Sequence, residues 1–280
     1  MTRFTAWRRR SWAGYAVVLA ALAAIGVIYA GFTPTPAAEA SGTQAQAQDL
    51  ANGKELFNQN CASCHGLNAQ GTKDAKGNDI APSLLGVGAA SVDFQISTGR
   101  MPAMTNAAQI PKKEVVEPFA TEDGKLNQKN IDDVSAYIQA LGGGPGIPAV
   151  AESKDLALGG KLFRTNCAQC HNFAGEGGAL TYGKFAPNLL ETHPTQIYEA
   201  MLTGPQAMPV FNDTTLTPKD KEAIIAFITN TREEKNPGGN GLGRIGPVSE
   251  GLAGWLVGIG LLVVAAMWIT AKKPKKLKKP

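Results

Sequence analysis

The chain contains four cysteines and three histidines in 280 residues, and their placement suggests chemistry. Cys61 and Cys64 are followed at once by His65, and Cys167 and Cys170 by His171. Cys-x-x-Cys-His is the attachment signature of a c-type haem. Two thiols three positions apart reach the two vinyl groups on one porphyrin edge and form thioethers, and the adjoining imidazole is then presented to the iron. The pattern assigns Cys61, Cys64 and His65 to one haem c, and Cys167, Cys170 and His171 to a second. Other chemistries of paired cysteines fit less well. A thioredoxin-like dithiol wants a βαβ setting, for which the chain has no pattern. Zinc ribbons place their knuckles roughly 15–20 residues apart, whereas 102 residues separate Cys64 from Cys167. Structural disulfides leave the two histidines unexplained.

A sixth ligand decides whether such an iron is open to substrate. Apart from Met1 and Met267, the chain offers Met101, Met104, Met201 and Met208. Thioether sulfur favours ferrous iron and raises the reduction potential. Met101 lies in Gly99-Arg100-Met101-Pro102 and Met208 in Gly204-Pro205-Gln206-Ala207-Met208-Pro209. The shared Met-Pro pair selects Met101 and Met208 as distal ligands, with Met104 the competitor in the first site. Met201 reads as packing. A six-coordinate iron leaves no substrate position, which suits one-electron transfer rather than catalysis. His193 is the spare histidine. It is read as a partly exposed loop residue before Pro194, with ligation or contact to a propionate as the alternatives. For Arg100 a propionate partner and a solvated surface position stand level.

The elements that must hold these residues come in duplicate. Gly53-x-x-Leu56-Phe57-x-x-Asn60-Cys61-x-x-Cys64-His65 matches Gly159-x-x-Leu162-Phe163-x-x-Asn166-Cys167-x-x-Cys170-His171. Ala81-Pro82-x-Leu84-Leu85 matches Ala186-Pro187-x-Leu189-Leu190, Thr98-Gly99 matches Thr203-Gly204, and Ala136-Tyr137-Ile138 matches Ala226-Phe227-Ile228. A repeat of this length means two copies of one small domain. Domain 1 is expected over 49–144 and domain 2 over 145–235, with the break in the Gly/Pro cluster 142–148. The spacing between matches shrinks towards the end of the second copy, so the first carries about 17 extra residues around Ala107 to Asn127. They read either as a docking surface or as solvated padding. Ile131, Val134, Tyr137, Ile138 and Leu141 recur at helical spacing, as do Ile224, Ile225, Phe227 and Ile228 less cleanly. No stretch alternates, so each module is expected to be all-α. At under 100 residues its core is thin unless it wraps around something.

Two charge-free apolar stretches of 21 residues, 12–32 and 251–271, bracket the modules, and each is long enough to cross a bilayer. Arg3, Arg8, Arg9 and Arg10 precede the first, and six lysines between 272 and 280 follow the second. Cationic flanks stay cytoplasmic, so segments 1–11 and 272–280 are expected inside the cell and the modules outside. Tethers are expected at 33–48 and 236–250. A cleaved signal peptide ending near Ala38-Glu39-Ala40 is the rival reading of the first stretch, but its apolar run exceeds the usual h-region. The two ends contribute ten positive charges to a net of +4, which leaves −6 for the remainder. The basic pI therefore implies no nucleic acid.

Each module resembles a class I cytochrome c. Such a likeness implies that the carbonyls of Pro82 and Pro187 accept a hydrogen bond from the proximal imidazoles. The whole arrangement resembles the dihaem cytochrome c subunit of the actinobacterial cytochrome bcc complex, a menaquinol–cytochrome c reductase, across nearly the entire chain. The resemblance implies a cytochrome b subunit, a Rieske iron–sulfur subunit and a haem-copper terminal oxidase as partners in the cell membrane. It also implies that the tandem haems relay electrons in place of a diffusing carrier. In that reading the chain belongs to an oxidoreductase while having no substrate-transforming site itself. The alternative is a dihaem redox enzyme, of peroxidase or thiosulfate dehydrogenase type, with one open haem.

Overall fold

A helix must deliver each Cys-x-x-Cys-His motif, and in both modules one helix ends at the residue before the first cysteine. The computed structural model describes residues 15, 18–25, 36–105, 107, 109–234, 244 and 247–271. The first module holds α1 (Pro36–Asn60), α2 (Ala62–His65), a ribbon of β1 (Thr72–Lys73) and β2 (Asp79–Ala81), α3 (Ala89–Ser97) and α4 (Gln128–Gly142). The second repeats the order with α5 (Leu156–Asn166), α6 (Ala168–His171), β3 (Gly178–Ala179), β4 (Phe185–Ala186), α7 (Pro194–Thr203) and α8 (Pro218–Glu233). A final helix, α9, spans Pro247–Thr270.

The architecture is mostly helical, with one addition to the all-α expectation. Each module carries a two-stranded antiparallel ribbon, β1–β2 and β3–β4, just after its histidine. Strands of two or three residues are too short for alternation to register in the sequence. The segment 33–48, expected as a tether, is helical from Pro36 onward, in keeping with its content of alanine and glutamine, both strong helix formers.

The helix before the haem motif crosses the last helix of its module with backbones in contact. A Cβ at Gly53 would lie 2.0 Å from the Asp133 carbonyl oxygen, and one at Gly159 would lie 2.0 Å from that of Ala223. Beside each crossing two rings meet: Phe57 and Tyr137 at 5.5 Å between centroids, Phe163 and Phe227 at 5.4 Å. Around the first crossing Phe57, Ile131, Val134 and Ile138 are buried with Val92 and Ile96. Around the second, Phe163, Ile224, Ile225 and Ile228 are buried with Ile197 and Met201. Leu141, in the expected stripe of α4, is exposed instead, because the helix ends one residue later. Thr217 and Asp220 form a capping box at the start of α8, with Pro218 in the first turn. This satisfies amide groups the helix leaves unpaired.

The extra residues of the first module are a strap between modules. Phe119 and Ala120 are buried in its core, and Asn130 Nδ2 donates to the Pro118 carbonyl at 2.8 Å. Upstream, the Gln109 side chain bonds the backbone of Phe185 in both senses, donating to its carbonyl at 2.7 Å and accepting from its N–H at 2.9 Å. The amide thus acts as a one-residue strand against the edge of β4. Gln206 Nε2 returns a bond to the Ile110 carbonyl at 3.1 Å. Helices α3 and α7 close the rest of the seam, where Gln196 Nε2 donates to Ser97 Oγ at 3.0 Å.

Within α9, Val248–Thr270 is apolar, with mean hydropathy 2.3, and is long enough to cross a membrane. It starts before the expected 251–271 span and takes in Glu250. The expected first crossing at 12–32 lies mostly outside the described residues; those of it that are described, 15 and 18–25, are helical. The arginine cluster, most of the tether at 236–250 and the lysine tail lie outside them as well.

Because backbone atoms cannot yield as a side chain can, Gly159→Ala is expected to cost about 1–3 kcal/mol and lower the thermal midpoint by roughly 2–12 °C. Gly146 has open space around it, so Gly146→Ala is the matched control and is expected to be near neutral. Calorimetry of the two variants checks the difference.

Candidate haem sites

Both motifs are presented in the same way. Helix α1 stops at Asn60, whose side-chain Nδ2 donates to the Leu56 carbonyl at 2.8 Å. Asn166 does the same to Leu162 at 2.9 Å. The chain then turns at the first cysteine into a single helical turn, α2 or α6, that carries the second cysteine and the histidine. Cys61 is half-buried and Cys167 buried, while Cys64 and Cys170 are exposed. All four thiols are unbridged. Burial, and secondarily the neighbouring Cys64, push the Cys61 thiol up to about 11. Burial and Cys170 push Cys167 up to about 12. Buried thiols that resist ionisation are poor redox nucleophiles, whereas a thioether carries no charge at all. Among the described residues no three His, Cys, Asp or Glu side chains converge to hold a bare metal ion.

The histidines are oriented by the backbone. His65 Nδ1 lies 2.8 Å from the Pro82 carbonyl, and His171 Nδ1 lies 3.0 Å from that of Pro187. A carbonyl only accepts, so Nδ1 carries the proton in each ring and Nε2 keeps its lone pair for a metal. Burial pulls the His171 pKa below its ordinary value, partly offset by the Pro187 bond, and this favours the neutral ring that ligation needs. The loop bearing Pro187 is itself held, since Arg232 donates to the carbonyls of Leu189 at 3.3 Å and Thr192 at 2.6 Å.

In the second module these groups open onto a cavity of about 600 Å³, within the range of roughly 300–1,000 Å³ that cofactor sites occupy. Cys167, Cys170, His171, Pro187, Met201 and Met208 all contribute to its wall. Size, thiol edge and free imidazole nitrogen fit a haem c. In the first module Met101 is partly buried against the core cluster, whereas Met104 is 82% exposed. His193 does not line the cavity. It is exposed and caps α7, where Nδ1 accepts from the Thr195 N–H at 3.4 Å and Gln196 completes the box.

The comparisons with known proteins agree with this geometry. The family model described as "Cytochrome c" matches residues 50–142, and that described as "Cytochrome C oxidase, cbb3-type, subunit III" matches 154–228. A "Cytochrome bc1 complex cytochrome c subunit" of Mycobacterium leprae is 44% identical, covering 91% of this chain and 86% of its own. Proteins of the same description from Mycobacterium tuberculosis and Corynebacterium diphtheriae are 43% and 41% identical, with 94% of this chain covered in both cases and 92% and 95% of theirs. The chain belongs to the family of bc1-complex cytochrome c subunits.

A cytochrome c subunit with two modules needs them held in register, and here the seam contains an acid the sequence reading did not single out. Glu199 on α7 is fully buried, and no donor reaches either of its oxygens among the described residues. Asp93 on α3 and Asp132 on α4 face it instead. Burial, and then a hydrogen bond and repulsion from Asp93 together with repulsion from Asp132, push its pKa up to about 10. At neutral pH Glu199 therefore keeps its proton and donates it to Asp93, as two close carboxyls require. Gln128 Nε2 steadies the acceptor side, donating to Asp93 at 3.1 Å and Asp132 at 2.9 Å. Asp93 lies 106 positions from Glu199 and Asp132 lies 67, so no local pattern marks them.

The sign of the pH effect follows. The ordinary value is 4.5 and the folded value about 10, so between them the folded chain binds more protons than the unfolded one. Stability is then lost as pH rises through that window, by at most about 1.4 kcal/mol per unit. Thermal unfolding measured from pH 5 to 9 is expected to show this decline in the native sequence. Glu199→Gln, which cannot ionise, is expected to flatten it.

Proposed function

We propose that the chain is the dihaem electron carrier of a bcc-type menaquinol reductase, relaying single electrons from a Rieske iron–sulfur subunit to a haem-copper terminal oxidase. Cytochrome b is the further partner in this reading. The modules sit on the outer face of the membrane between two anchors, and both termini are cytoplasmic. The observation that carries the reading is the duplicated seat: two Cys-x-x-Cys-His turns, each with its imidazole Nδ1–H committed to a proline carbonyl.

Cys61 and Cys64 would hold the first haem c and Cys167 and Cys170 the second, with His65 and His171 as proximal ligands and Met101 and Met208 as distal ones. Haem c supplies a one-electron iron couple at each seat. The chain's own contribution is constraint. The proline carbonyls fix the imidazole tautomer and raise its basicity. Met101 and Met208 would supply thioether sulfur to the bound iron, which raises its potential. Burial of His171, Met201 and Phe211 keeps water from the second seat.

Mass spectrometry of the mature protein is expected to show the added mass of two haems, and mild-detergent purification to bring down cytochrome b and oxidase. Met101→His and Met208→His are each expected to lower one titration step by on the order of 0.1 V or more, within the roughly 0.8 V that axial ligands span. Met104→Leu is expected to leave both steps in place. Strong carbon monoxide binding to the reduced native protein would point instead to an enzyme with an open haem.

A further inference from the structure

The wall of the second module's cavity is not made by that module alone. Arg100, Gln109, Ile110 and Lys112, all from the first module, line it together with Cys167, Cys170 and His171. Arg100 is half-buried, with its guanidinium stacked 5.0 Å over the Phe94 ring. It forms no ion pair among the described residues. Lys112 has none either. The acids in the same wall are placed otherwise, since Glu176 accepts from Asn188 at 3.3 Å and Glu191 is exposed. A guanidinium withdrawn from water without an anion is costly, and its fork of donors matches a carboxylate. A haem brings two such carboxylates on its propionate arms.

We propose that the first module completes the second haem's seat, with Arg100 and, at the rim, Lys112 receiving the propionates of the haem attached at Cys167 and Cys170. This resolves the two sequence readings of Arg100 towards a haem partner, but the haem of the other module. The proposal rests on the haem assignment above. It has two consequences. The bound haem fastens the seam that Gln109 and Gln206 begin. The adjacent residues Arg100 and Met101 also serve different haems, so the surroundings of the two irons meet across a single peptide bond.

A positive charge beside the porphyrin favours the reduced state, so removing it lowers the potential. Redox titration of the purified complex, followed in the α-band, is the test, with the second-haem step assigned by its displacement in Met208→His. Arg100→Gln is expected to make reduction at that step about tenfold less favourable, a fall of about 59 mV for one electron, and to move the first-haem step less. Arg100→Lys is expected to recover part of the fall. Lys112→Gln, at an exposed position, is expected to give a smaller fall at the same step and serves if Arg100→Gln does not assemble. A second-haem step that stays in place while the first moves, or while neither moves, overturns the proposal. Haem content measured on the same samples separates this from failure of the haem assignment, which would appear as native protein lacking porphyrin.

Discussion

The close crossing of the first and last helix in each module is the contact on which the other features depend. At Gly53 and at Gly159 one helix lies directly on the carbonyl oxygen of the other, a distance that no side chain permits. The crossing sets the height and direction at which the first helix ends. The next residues are the cysteine, the single turn and the histidine, so their position is inherited from it. The rings of Phe57 and Tyr137, and of Phe163 and Phe227, then stack beside the crossings at nearly equal separations. Two modules with modest sequence identity thereby present the same chemical groups in the same way.

Such modules have little interior of their own. What apolar burial exists gathers on one side of each, around Phe57 and Ile138 or Phe163 and Ile228. The second leaves a cavity of about 600 Å³ lined by thiols, imidazole and methionine. A prosthetic group that fills such a space supplies the missing core, so binding and folding are linked. The proline carbonyls add a second constraint. They accept a hydrogen bond from the Nδ1–H of each histidine and leave the other nitrogen basic, an orientation the imidazole would not hold unaided.

The seam turns two beads into one carrier. It is polar and built from unlike devices: the Gln109 amide against a strand edge, a hydroxyl–amide bond between Ser97 and Gln196, and a protonated Glu199 against Asp93. Polar contacts of this kind specify one docking geometry better than they stabilise it. A fixed relation between two redox centres needs specificity of this sort. The insertion in the first module, equally open to reading as padding or as a surface for partners, divides its contacts: Gln109 and Ile110 bond the sister module, while Phe119 and Ala120 are buried in its own.

Much of the site was legible without coordinates because covalent chemistry is local. The cysteines and histidine occupy five consecutive positions, and duplication made chance implausible. The prolines at Pro82 and Pro187 became meaningful through the class I likeness. Family membership followed the same motifs. Other features were not legible, and the reason in each case is distance along the chain. Gly53 and Gly159 stood in the repeat, but nothing local told that a carbonyl from a helix some 65 to 80 positions later presses on them. The ribbons were too short to alternate. Met101 and Met104 lie three residues apart, and only the fold shows the first packed on the core and the second exposed. Glu199 and Asp93, and Arg100 and the second cavity, are brought together solely by the docking of one module on the other. Sequence marked the atoms that are candidates to bond a haem; tertiary structure decided which charges and which neighbours those atoms meet, because electrostatics acts through space and not along the chain.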